Sequence, residues 1–194
     1  MVGNSRRISG PVWSFTTAGV VPPPPTARTA ELLADAYVRA GQYAATNFGS
    51  AAELVAKFST DPQYRRESFM KFDIGAVQAG DVVRLRVFGR LSDLRETRVV
   101  IAVTQATDTN WSENAITFNN RPASGTTEWG RVDVRSTTGR WYEVDLTQRV
   151  QTERAAGRQF ITLVLKKSVD TLPFAAFGSR ESGNPAVLTL QHTP

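Results

Sequence analysis

From about residue 32 onward the chain alternates apolar and polar residues in short runs, each closed by Gly, Pro, Asn or Asp. A period of two marks strands with one buried face. The runs fall at 34–38, 53–58, 68–74, 83–88, 98–104, 130–134, 140–144, 160–165, 174–177 and 186–190. The alternation predicts Leu54, Ala56 and Phe58 on one side of the second run, with Glu53 and Lys57 opposite. It likewise sets Met70, Phe72 and Ile74 against Phe69 and Lys71, and Leu85 and Val87 against Arg84 and Arg86. One stretch, 145–156, changes period. Leu146, Val150 and Arg154 share a helical face there, Asp145 is placed to cap the start, and Gly157 to end it. Short strands with a single short helix predict an all-β fold, a two-sheet antiparallel β-sandwich.

Burying the apolar phase exposes a defined polar set: Lys57, Lys71, Arg84, Arg86 and Lys166, with Phe69 among them. If the strands carrying them share a sheet, these side chains form a basic face with one aromatic ring. Arginine grips a carboxylate bidentately and lysine acts as a point charge, so such a face suits an acidic glycan. Ordinary solvated strand faces are the competing reading, because alternation alone does not give strand order.

Composition sharpens the charge argument. The chain has 194 residues, 23 Lys and Arg against 18 Asp and Glu, and a net charge of +5. Its pI is near 10.0. That balance points to polyanionic partners, or merely to an arginine-rich composition. A nucleic-acid partner is disfavoured, because the aromatics fall mostly in core phase rather than on a groove. No run of apolar residues is long enough to span a membrane as a helix.

Catalytic chemistry is sparsely represented. With no cysteine, disulfides, thiolate metal sites and cysteine nucleophiles are excluded. The one histidine, His192, falls in the terminal Gln-His-Thr-Pro and reads as a solvated tail residue. Ser-His-Asp catalysis and histidine zinc sites therefore lack their base or ligand. Tyr37, Tyr43, Tyr64 and Tyr142 leave a tyrosine-dependent polyuronate lyase as the enzymatic alternative. No cofactor is required. A structural calcium helped by Asp35 and Asp145 is a lesser option, since calcium takes about six to eight oxygens and no dense Asp/Asn loop is present.

Residues 1–27 read differently from the rest. Pro22 to Pro25 are four consecutive prolines, an extended spacer. The preceding Pro11-Val-Trp-Ser-Phe-Thr-Thr17 resembles the last strand of a fibronectin type III-like domain. The expected organisation is the tail of a preceding domain plus linker over 1–27, then one sandwich over 28–194, a monomer within a multidomain protein.

Spaced motifs then line up with one family. They are Asp35-Ala-Tyr-Val38, Thr46-Asn-Phe-Gly49, Arg66-Glu-Ser-Phe-Met-Lys-Phe-Asp73, Trp111-Ser-Glu113 with Ile116 to Pro122, Trp141 with Asp145-Leu-Thr147, and Phe177-Gly-Ser-Arg-Glu181. Together they resemble the DNRLRE-domain family, carbohydrate-binding module family 96. Phe118 stands where the family pattern has Trp, and Phe48 where it has Tyr. The resemblance implies a jelly-roll sandwich that binds glycan without cleaving it, notably alginate. It also implies an appendage of a secreted or surface bacterial protein. The basic positions it implies are Lys57, Arg66, Lys71 and Arg180. For Arg66 and Arg180 a structural pairing with the adjacent Glu67 and Glu181 is the competing role. A structural or adhesion module of the same fold is the other alternative. Trp111, Trp141, Phe118 and Pro122 are expected in core and turns.

Overall fold

The computed structural model describes residues 27–192. The fibronectin-like stretch and the polyproline spacer lie outside the described residues. The elements run β1 (Ala27–Arg39), β2 (Glu53–Ala56), β3 (Arg66–Asp73), β4 (Asp81–Leu91), β5 (Val99–Ala106), β6 (Ser124–Val134), β7 (Arg140–Asp145), α1 (Thr147–Ala155), β8 (Phe160–Lys167), β9 (Ala175–Gly178) and β10 (Val187–His192). Each of the predicted runs is a strand, and every pairing is antiparallel. The fold is an all-β sandwich with one helix.

Two sheets share one strand. The first half of β1 pairs with β10, which pairs with β4, while β4 also holds β7 and β9, and β9 holds β2. From Glu31 onward β1 pairs instead with β3 and enters the second sheet, in the order β1-β3-β8-β5-β6, with a register shift between Leu32 and Ala34. A bulge of this kind bends and twists a strand, which lets β1 hinge the two layers together. Between them lies the main core, including Met70, Phe72, Leu85, Val87, Leu163, Leu165, Phe177 and Leu188.

The N-cap position of the helix falls on Leu146 rather than on the expected Asp145. Asp145 Oδ1 accepts from the Thr147 N–H at 2.9 Å, Val150 is buried, and Gly157 at φ +80° ends the element. That φ is left-handed, where glycine carries no Cβ penalty.

The second sheet is covered on both faces. The connection between β5 and β6, residues 107–123, folds back over its outer side. Trp111 and Ile116 pack there on Ala34, Ala36, Val38, Phe69 and Val164, with Phe118 at the margin. The Trp111 indole donates to Thr162 Oγ1 at 2.9 Å, and its ring meets Phe69 edge-on at 6.2 Å between centroids. Asn47 pins this flap by donating to the carbonyls of Glu113 and Ile116, both at 2.7 Å. Gly49 is needed for the contact, because a Cβ there would sit 2.1 Å from the Glu113 carbonyl oxygen. The motifs around residues 46–49 and 111–122 therefore clamp a flap to a sheet. Burying the two large aromatics contributes about 2–3 kcal/mol each.

Candidate functional site

The flap corrects one expected ligand residue. Phe69 points out of the second sheet as its phase requires, but Trp111 covers it and it is wholly buried. It cannot meet a sugar. The neighbouring cations are occupied as well, Lys71 by the flap and Lys166 by the start of β6. Lys71 donates to the Trp111 carbonyl and lies 4.9 Å from the centre of the Trp111 ring. Lys166 donates to Ser124 Oγ and to the Gly125 carbonyl.

Arg180 is also engaged. Its guanidinium donates to the Leu33 carbonyl at 2.8 Å and pairs with Glu113 at 3.0 Å, while Glu113 accepts from the Asp35 N–H. These bonds satisfy the free edge of β1, which otherwise would expose unpaired backbone groups. Its carboxylate partner is thus Glu113 rather than the adjacent Glu181. Beneath, Asp35 is buried and takes the Arg180 N–H, and burial pushes its carboxyl up to about 7, with Glu181 and Glu113 adding to the rise.

Arg84 and Arg86 lie on the outer face of the first sheet, not beside Lys71. Both reach Glu143, at 3.8 and 3.7 Å, and Arg86 sits over Trp141. Trp141 is 39% exposed, against its expected place in the core. The predicted cations are thus divided among separate surfaces.

Lys57 and Arg66 do come together, and a third cation that sequence reasoning missed joins them. Beyond the end of β2, Lys57 bridges to Arg66, with backbone bonds of 3.0 and 2.8 Å in the two directions. On the other edge of β3, Arg66 faces Arg39 of β1. Residues directly opposite in a ladder project to the same side, with neighbouring strands about 4.8 Å apart. Arg39, Arg66 and Lys57 therefore form one transverse row across three segments. Arg66 continues the inward phase of Ser68, Met70 and Phe72, and Arg39 that of Tyr37, so the row lies where the sandwich interior opens at its end.

Each cation of the row rests on a ring. Arg39 lies 3.8 Å from the Tyr43 centroid, Arg66 5.4 Å from Phe174 and Lys57 5.4 Å from Tyr64. Tyr37 and Phe48 stack beside them at 4.5 Å. No ion pair among the described residues includes Arg39, Lys57 or Arg66. Glu67, the expected partner of Arg66, instead pairs with Arg121 at 3.1 Å. The Nε atoms of Arg39 and Arg66 are buried without any hydrogen-bond partner among the described residues. Burial lowers the pKa of Arg66 and of Lys57, and the neighbouring cations lower both further. Like charges in register destabilise a sheet, and a buried unsatisfied donor costs about 1–3 kcal/mol. The arrangement is one that an anion relieves.

No carboxylate constellation accompanies it. Among the described residues no group of three or more His, Asp or Glu is placed to hold a metal. Asp35 accepts the Arg180 N–H and Asp145 the Thr147 N–H. His192 is not a free tail either. It is part of β10 and its Nδ1 lies 3.1 Å from Oδ1 of the buried Asp81, which Arg28 also pairs at 2.6 Å. Among the described residues no helix is long and apolar enough to cross a membrane.

Over 102 residues the chain is 29% identical to a gellan lyase of Bacillus sp., covering 51% of this chain and 4% of the lyase. The family model of carbohydrate-binding module family 96 matches residues 26–192, all but one of them among the described residues. With that match spanning nearly the whole sandwich, the chain belongs to carbohydrate-binding module family 96.

Proposed function

We propose that this module binds an acidic polysaccharide, alginate or a similar polyuronate, through the row of Arg39, Arg66 and Lys57. The observation that carries the reading is the row itself: three cations in register, each backed by an aromatic ring, with no carboxylate paired to them. A uronate chain supplies carboxylates at regular intervals and ring faces that suit Tyr37 and Tyr43. The guanidiniums grip carboxylate through their Nη donors, which are not among the buried unpartnered atoms. The module itself is non-catalytic in this reading. Burial raises the Tyr37 pKa, the wrong direction for a tyrosine that must act as base near neutral pH. The match to a small fraction of a gellan lyase supports a place as an appendage of a larger polysaccharide-degrading protein; secretion of that protein is part of the proposal.

Isothermal titration with alginate oligosaccharides at two salt concentrations tests this. Arg39→Ala, Arg66→Ala and Lys57→Ala are each expected to weaken binding about tenfold, a loss of about 1.4 kcal/mol. Binding also weakens from low to physiological salt, where the Debye length is about 8 Å. Alginate releases no unsaturated uronate on incubation. Salt-independent binding unchanged in all three variants removes the row as the site.

A further inference from the structure

The outer face of the first sheet carries a groove that the cation row does not reach, and we infer that it is a second sugar site for an uncharged pyranose unit. Across this face, Trp141 of β7 stands opposite Phe88 of β4, and Glu53 of β2 opposite Gly178 of β9. The small residues Ala176 and Gly178 leave a trough between Phe88 and Glu53. Its volume is about 270 Å³, closed at the far side by Ser182 and Asn184. That lies near the lower end of ligand pockets, roughly 300–1,000 Å³, and suits a single ring.

The walls differ in chemistry. One is aromatic, Phe88 held edge-on by Trp141 at 5.5 Å. The other is the Glu53–Arg90 pair, in which Arg90 Nη2 reaches both carboxylate oxygens at 2.8 and 3.1 Å and Nε reaches one at 3.1 Å. Both side chains are more than a third exposed, so they face the trough as a donor and an acceptor whose charges cancel. A uronate carboxylate would compete with Glu53 for Arg90 and be repelled by it. An uncharged ring meets no such repulsion. Its C–H face packs on Phe88 and its hydroxyls bond to the outer lone pairs of Glu53, both of which line the trough. An all-equatorial, gluco-configured ring fits best, because its faces are flat and its hydroxyls lie at its edge.

The test titrates the full chain separately with cellotetraose and with an alginate tetramer, by calorimetry and tryptophan fluorescence. Cellotetraose is expected to saturate the protein in the millimolar range and to change the emission of the exposed Trp141. Ala176→Leu, which fills the trough, and Glu53→Ala are each expected to weaken cellotetraose about tenfold and to change alginate binding less than about twofold. Arg39→Ala does the reverse, so failure of either site is read apart from the other. If Ala176→Leu lowers the melting temperature, Glu53→Ala carries the test, since an exposed ion pair contributes little to stability. No saturation by about 10 mM cellotetraose overturns the inference, as does binding untouched by both substitutions in folded protein. Self-association of the chain that Ala176→Leu abolishes also overturns it, by identifying the groove as a contact between copies.

Discussion

The cations at the open end of the sandwich and those held on the second sheet are alike in kind, basic residues on a strand or just beyond its end. On the second sheet, Lys71 finds a carbonyl of the flap and Lys166 one of β6, and at the edge of β1 Arg180 finds a carbonyl and a carboxylate. At the open end, Arg39, Arg66 and Lys57 find only aromatic faces. The first group ties a loop and an edge strand to the sheet. The second leaves donors unmatched, and that mismatch is what supports the proposed ligand site. Charge alone does not separate a binding site from a structural clasp; the identity of the acceptor does.

The comparison can be broken most forcefully at the flap. Trp111→Ala removes a buried ring and its bond to Thr162 and uncovers Phe69, and is expected to cost about 3–5 kcal/mol in denaturant unfolding. If it costs less than the loss of an exposed residue would, the flap is not the clasp described here.

Asp35 gives a second lever, on the network that holds Arg180. Its folded pKa of about 7 stands above the ordinary 3.8. The stability it contributes is therefore fully present below about pH 4 and is lost as pH rises through about 7. The slope is at most about 1.4 kcal/mol per pH unit. Asp35→Asn is expected to flatten stability across that window, measured as melting temperature against pH. An unchanged slope would mean that Asp35 is ionised in the fold.

Lys71→Ala is expected to cost about 1–2 kcal/mol of stability, from a charged hydrogen bond and a cation–π contact, and to leave alginate affinity as it was. Arg66→Met gives the smallest stability change and sharpens the contrast. Relief of in-register repulsion offsets the lost contact with Phe174, so unfolding free energy stays within about 0.5 kcal/mol while alginate binding drops. A variant that loses both, or neither, removes the distinction between the two groups.

Much of this was legible from the sequence. The alternation located every strand and the helix, and six spaced motifs led to the family. Coverage of the second sheet also had a signal that the alternation reading passed over. Ser68-Phe-Met70 and Ile161-Thr-Leu-Val-Leu165 are buried at every position, and unbroken runs of that kind belong to strands covered on both faces. Phe69 follows from that pattern better than from its phase beside Lys71. Register, by contrast, was out of reach. Arg39 shares the phase of Tyr37, but nothing local says that β1 sets it opposite Arg66, or that Lys57 bridges Arg66 from the other side. The motifs around Arg66 and Arg180 gave no hint that Glu67 and Glu113 would pair with arginines distant in sequence or in another motif.

Ala27 and Gln191 are neighbours in the β1–β10 ladder, and β1 then runs its whole length, roughly 40 Å at about 3.3 Å per residue, to end at Arg39. Polypeptide joined before β1 or after β10 leaves from one pole, and the cation row stands at the other end of that strand. A module mounted this way works as a probe on a stalk. On the proposed function, the basic tip leads into the polymer while any polypeptide joined at the opposite pole trails behind, clear of the contact.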